Sequence, residues 1–373
     1  MKLTNKKGFN KAILNSILSG NRYGGTGEER FASVTELINP TRIFWLNKRH
    51  ADKMEMDVSK RIFMLLGSAV HSILDEANDI PVLSNMRRHI SNFFSDLGKL
   101  KIGENENMVD IFLQYLMFGK QTNQTGCFDT FLKEQINIFK NQRYLTENRM
   151  KMQVSGKIIS GGYDLYDKET KYLEDYKLTS VWNWIYRDDT TSRIPEYTEQ
   201  LNCYKLFLNL AGYEVSGLRI NMIFRDYQAS KKSIESNYPD EVEPIEIEMW
   251  DNEVIKQFIK ERVNELIANE KVPDHQLPLC TPRQRWDSQK VWQVFKNANK
   301  RATKNCYSYK AAEAYINENS DGKSKYSIVE KESEPKRCIG YCQANKFCDF
   351  YIDYMAKKGG EMMERDNEQL EVF

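Results

Sequence analysis

Three stretches of this chain carry residue types that would do chemistry if the fold brought them together. They are Gly67-x-x-x-His71, Gly162-x-Asp164, and Asp175-Tyr176-Lys177 with Gln200-x-x-x-Tyr204 downstream. The spacing of Asp164 and Asp175 suits a hairpin, in which carboxylates from adjacent strands approach one hard cation such as Mg²⁺ or Mn²⁺. Side chains two apart on a strand point the same way, so Lys177 shares a face with Asp175. An ammonium set beside a metal-bound water and a phosphodiester is the arrangement this implies, and metal-dependent hydrolysis is its chemistry. Each piece also has a bland reading. His71 can be a satisfied core residue, Asp164 a turn cap, Asp175 and Lys177 an exposed strand pair, and Gln200 and Tyr204 members of a packing face.

The elements that must position these groups follow from periodicity. Ile62, Phe63, Leu66, Val70, Ile73 and Leu74 recur at helical spacing through residue 79, which places His71 on a long amphipathic helix. Gly67 lies one turn earlier on the same face, where a missing side chain would admit a close approach. Ser33-Val34-Thr35-x-Leu37 before Pro40 predicts a short helix. Residues 85–150 read as a largely helical insertion. Extended segments begin near 153, with a turn at 167–170 and a return strand over 172–178. A helix over about 195–210 carries Tyr197, Leu201, Tyr204 and Leu208 on one stripe and ends at Gly212. Strands at 215–224 and 245–249 and a helix at 252–269 complete an α/β (α+β) core. Glu174 falls on the strand face opposite Asp175, which suits a structural part.

The order of these motifs resembles the PD-(D/E)xK nuclease superfamily in its RecB-like branch, over about residues 33–225. The resemblance implies a restriction-endonuclease-like core with a mixed central sheet flanked by helices. It further implies that His71, Asp164 and Asp175 ligate Mg²⁺ or Mn²⁺, with the Tyr176 backbone carbonyl as a further candidate ligand. Lys177 would activate or position the attacking water, and Gln200 and Tyr204 would contact substrate and active-site groups. No rival catalytic set competes: the chain has four His, no Gly-x-Ser-x-Gly elbow and no Gly-x-x-x-x-Gly-Lys phosphate loop.

Cys338-x3-Cys342-x5-Cys348, with Cys280 upstream, is the second chemical feature. Clustered thiols in a reducing compartment are more often metal ligands than disulfides, and four thiolates suit either an iron–sulfur cluster or Zn²⁺. RecB-like relatives carry a four-cysteine [4Fe–4S] staple, which favours iron. In those relatives the first cysteine precedes the catalytic core, whereas Cys280 follows it here. The segments around 280–286 and 337–342 resemble the tails of phage-encoded RecB-like exonucleases. Cys127, Cys203 and Cys306 read as buried thiols.

A length of 373 residues, 40% of them hydrophobic, is ample for a core, and the net charge of +1 favours no partner by itself. Its distribution says more. Residues 281–310 hold eight Lys and Arg against Asp287 alone, with aromatics interleaved. This suits a phosphate backbone and stacked bases as well as it suits a helical surface with a core-facing aromatic side. Arg283, Arg285, Trp286, Lys290, Lys300 and Arg301 are the candidate DNA contacts. The acidic stretch 235–253 reads as a solvated loop and strand edge. The domain expectation is a polar start at 1–32, the nuclease core at 33–270 and a basic cysteine-bearing region at 271–373. No apolar run is long enough for a membrane and no signal peptide precedes the core, so a cytoplasmic protein is expected. The function expected is a metal-dependent DNA nuclease, an exonuclease of phage or bacterial recombination or replication. Its partners would be DNA and a single-strand annealing or replication protein. The alternatives are a catalytically silent DNA-binding subunit and an RNA- or structure-specific nuclease.

Overall fold

The computed structural model describes residues 2–19, 30–74, 77, 143–188 and 192–370. The first three strands are short: β1 (Lys2–Thr4) pairs in parallel with β3 (Glu55–Asp57), and β2 (Ala32–Ser33) joins the central sheet. The body of that sheet is β4 (Tyr144–Val154), β5 (Lys157–Asp167), β6 (Tyr172–Thr179), β7 (Gly217–Phe224) and β8 (Val242–Ile247). Their order is β2-β5-β6-β7-β8, with β4 also paired to β5. The β5–β6 and β7–β8 pairs are antiparallel and β6–β7 is parallel, so the sheet is mixed.

A parallel neighbour cannot be reached by a tight turn, and the helix Ile194–Leu210 supplies the crossover between β6 and β7. Ten of its residues are buried, because it lies between the sheet on one side and the helices Val34–Leu37 and Asn252–Ala268 on the other. Its end matches the expectation: Gly212 adopts φ +88° and its N–H donates to the Asn209 carbonyl. The short helix after Ser33 is also present, closed by a capping box between Ser33 and Glu36. The edge strand β8 carries Glu243 and Glu246 of the acidic stretch, and its other acids lie outside that strand.

Two expectations change. Residues 144–150, read as the end of a helical insertion, belong to β4, which pairs with β5 along nearly its whole length. Helix formers such as Met150, Arg149 and Lys151 mislead here because the partner strand, not local propensity, decides the conformation. The remainder of the insertion, 85–142, lies outside the described residues. The segment 281–310, for which a helical surface is one reading, holds two strands instead. β9 (Val291–Lys296), β10 (Lys304–Cys306) and β11 (Tyr326–Lys331) form an antiparallel sheet with β9 central, packed on the helix Tyr309–Asn319. Val294, Cys306 and Ala312 form its small core, whereas Leu277, Ala344 and Cys348 join the main core.

Candidate active site

A gap in the sheet makes the site. β4 occupies one edge of β5, while the other edge is shared between β2 at residues 159–160 and β6 at residues 165–167. Residues 161–164 lie between those two pairings. The Asp164 carboxylate fills the gap: its Oδ2 accepts the Tyr176 N–H at 2.9 Å and lies 3.3 Å from His71 Nδ1. Asp175 stands across from it on β6, 2% exposed, and its Oδ2 is ion-paired with Lys177 Nζ. The structure therefore brings His71, Asp164, Asp175 and Lys177 together, from a helix and two strands.

Burial raises the Asp175 carboxyl to about 6, and the Asp164 charge pushes the same way against the pull of Lys177 and His71. Burial alone would lower the Lys177 ammonium, but Asp175 and Asp164 reverse this and hold it above its ordinary value. The His71 imidazole behaves alike, with burial opposed by its hydrogen bond to Asp164 and by both carboxylate charges, for a net rise. The pocket thus gathers Lys177 and His71 around two crowded carboxylates, whose charge they partly offset. No set of three or more His, Cys, Asp or Glu side chains is posed to hold a metal ion among the described residues. Glu174 sits on the opposite face, as expected, bonded to Asn221 Nδ2 at 2.6 Å and Arg219 Nη1 at 3.4 Å.

Gln200 and Tyr204 stand on the crossover helix beside the carboxylates: burial raises the Tyr204 hydroxyl, and the Asp175 and Asp164 charges add to the rise. Gln200 Nε2 donates to Tyr204 Oη at 3.0 Å, and Tyr204 is 3% exposed. A Cβ on Gly161 would stand 2.6 Å from the Tyr204 ring, so only glycine lets the ring press against β5. Gly161→Ala is therefore expected to displace Tyr204 and to destabilise the protein by about 1–3 kcal/mol, read as a lowered Tm. An unchanged Tm would show that the ring does not pack as closely as this. Gly67 differs from its expectation: a Cβ there meets nothing within 4 Å, so no close approach requires glycine at that position.

The crossover helix also carries Glu199. Burial, followed by the Glu196 charge, raises its carboxyl to about 7, against the pull of Arg262 and Arg283. A carboxyl whose folded value exceeds its unfolded one contributes most at low pH and loses that contribution as pH rises through the folded value. Glu199→Gln should accordingly gain Tm over the parent at pH 8 and show no such gain at pH 5. A difference independent of pH would remove Glu199 as the titrating group.

Cys280, Cys338, Cys342 and Cys348 line one small cavity of about 20 Å³, and all four are free thiols. Burial raises Cys280 to about 11 and Cys338 to about 12, with the charges of neighbouring cysteines adding to it, and Cys342 is raised as well. Among the described residues no acidic side chain lines the cavity, but Arg42, Arg285 and Arg337 do. Arg42, 3% exposed, donates Nη1 to Cys348 Sγ at 3.9 Å and bonds the Pro278 and Leu277 carbonyls. Four sulfurs without competing carboxylates are soft donors, although among the described residues the four thiols, too, are not posed as a metal-holding set. Sequence reasoning missed Arg42; its one signal is an arginine beside the apolar run Ile43-Phe44-Trp45-Leu46. Cys203 and Cys306 are buried as expected, and Cys127 lies outside the described residues.

The basic candidates divide. Arg285 is spent on Asp287 and the Cys280 carbonyl, and Lys290 on Glu330 and Glu332, so neither is the free cation expected of it. Arg283 pairs with Glu196 at 3.4 Å. Lys300 and Arg301 are exposed in the turn between β9 and β10. Trp286 has the guanidiniums of both Arg193 and Arg337 over its ring, each 5.3 Å from the centroid.

No protein-family model and no curated protein matches the chain. Among solved structures it is similar to the protein SSO0001, with 12% identity, a TM-score of 0.34, and coverage of 71% of this chain and 89% of that one. It is also similar to a phage-related exonuclease from Haemophilus somnus 129PT, with 16% identity, a TM-score of 0.23, and coverage of 40% of this chain and 74% of that one. Likenesses this distant leave the fold described at the level of a mixed α/β core with a central mixed sheet flanked by helices.

Proposed function

We propose that the chain is a metal-dependent DNA nuclease with a PD-(D/E)xK-like core. The convergence of His71, Asp164, Asp175 and Lys177 at the gap beside β5 is the observation that carries this reading. Bound Mg²⁺ or Mn²⁺ supplies Lewis acidity and a lowered pKa for an attacking water. Asp164 and Asp175 offer it oxygens, His71 a ring nitrogen, and the Tyr176 carbonyl a further oxygen. The Tyr176 N–H fixes the Asp164 carboxylate, so that ligand is oriented in advance. Lys177, held as an ammonium by its carboxylate neighbours, orients the attacking water and stabilises charge growing on the phosphate. Tyr204, bonded to Gln200, packs against β5 at Gly161 and borders the two carboxylates.

Exonucleolytic action in phage or bacterial recombination or replication follows from the resemblance in motif order. DNA and an annealing or replication protein are the partners it implies. For the four cysteines the proposed occupant is a [4Fe–4S] cluster, with Zn²⁺ as the alternative. The test is digestion of end-labelled single- and double-stranded DNA with Mg²⁺ or Mn²⁺. Metal-dependent shortening supports the reading, and intact DNA with every divalent cation overturns it.

A further inference from the structure

Around Trp286 the cysteine region meets the crossover helix at a line of aromatic and cationic groups that begins at the candidate active site. Lys177 Nζ lies 5.5 Å from the Tyr197 ring, and the Arg193 guanidinium lies 5.6 Å from the same ring on its way to Trp286. Arg337 covers Trp286 as well, and Tyr341 meets its ring edge-on at 5.2 Å. Tyr197 is buried and forms a wall, whereas Tyr341 is 72% exposed and Arg193 is exposed. Trp286 has φ +55° and ψ +48°, a left-handed conformation that a bulky side chain rarely adopts. Arg337 is fixed by bonds to the Asn39 side chain and the Gln284 carbonyl. The nearby acid Glu196 is paired with Arg283, and neither Arg193 nor Arg337 is ion-paired among the described residues.

We propose that Arg193, Trp286, Arg337 and Tyr341 form a docking site for a single DNA strand, seating its backbone and bases a few nucleotides from the strand position at Lys177. The inference rests on the nuclease reading for its direction but not for its binding chemistry. Two guanidiniums on one indole face like charge, and the one carboxylate that acts on Arg337, Glu196, is already paired with Arg283, so a phosphate would relieve them. The exposed Tyr341 ring beside Trp286 offers a stacking surface that suits any base. A duplex presents its bases already stacked, so the site should favour single strands.

The test is binding of fluorescein-labelled dT12 and of a blunt duplex of equal length to the full chain in EDTA, where cleavage cannot occur. Tyr341→Ala and Arg193→Ala change exposed side chains and leave the proposed metal ligands in place. Tyr341→Ala should weaken dT12 binding about tenfold. Arg193→Ala should weaken it and flatten its salt dependence by roughly one phosphate contact. Duplex binding should change less in both. Affinity for dT12 within twofold of the parent in both variants overturns the site, and an equal loss on duplex overturns the preference for single strands. A parent that cleaves no DNA while both variants lose dT12 binding would sink the nuclease reading and leave the docking site standing.

Discussion

Asp175→Asn should yield a folded protein in which Mn²⁺-dependent DNA cleavage falls about a thousandfold or more. The substitution keeps the side-chain shape but removes one of two carboxylates, and several kcal/mol of stabilisation with it, at about 1.36 kcal/mol per tenfold. Metal binding should weaken in the same variant. Lys177→Met separates the roles, because it leaves both carboxylates and deletes the ammonium now ion-paired with Asp175. Calorimetric Mn²⁺ affinity should then hold or rise while cleavage is lost. Asp175→Asn also strands the Lys177 ammonium, which should lower the metal-free Tm, since breaking a largely buried pair from one side is costly. Full activity in folded Asp175→Asn would remove the active-site assignment. Loss of Mn²⁺ binding in Lys177→Met would instead make the lysine a structural partner of the site.

The local part of this site is legible in the amino-acid sequence because short-range rules govern it. The β5–β6 hairpin, the same-face placement of Asp175 and Lys177, and the helix ended by Gly212 each follow from periods of two or 3.6 and one glycine. The contact of Gly161 with Tyr204 is not, since nothing in a chain pattern tells which glycine a distant ring will press upon. β4 misleads for a related reason. Its sequence favours helix, and only the partner strand makes it extended. Arg193, Trp286 and Arg337 lie far apart in the chain and meet only through tertiary packing, so periodicity cannot pair them. The basic segment looks like one charged surface by composition. The fold commits Arg285 and Lys290 to internal partners and leaves Lys300 and Arg301 in a turn.

Cys342→Ser should abolish metal loading at the cysteine cavity and lower the Tm by roughly 10 °C or more, because binding at such a site is folding free energy. Charge balance is the reason to expect so large an effect. Arg42, Arg285 and Arg337 line the cavity, Arg285 being already paired with Asp287, and among the described residues no carboxylate lines it. With Cys280 and Cys338 pushed up to about 11 and 12, neutral thiols leave Arg42 and Arg337 without a counter-charge in the lining. Four thiolates around Zn²⁺ or around a [4Fe–4S]²⁺ core carry a net charge of about −2, which two arginines match. The space favours zinc at first sight, since about 20 Å³ admits one water-sized occupant, and a cluster would require the 280–285 and 338–348 segments to move outward. Anaerobic purification decides between them. Brown protein with broad absorbance near ~400 nm that bleaches in Cys342→Ser assigns iron, while a colourless parent with one stoichiometric zinc, lost in the variant, assigns zinc. A metal-free parent whose Tm is unmoved by Cys342→Ser would mean that thiols, not thiolates, face Arg42 and Arg337, and that the carbonyls of Leu277, Pro278 and Gln284 suffice to hold them.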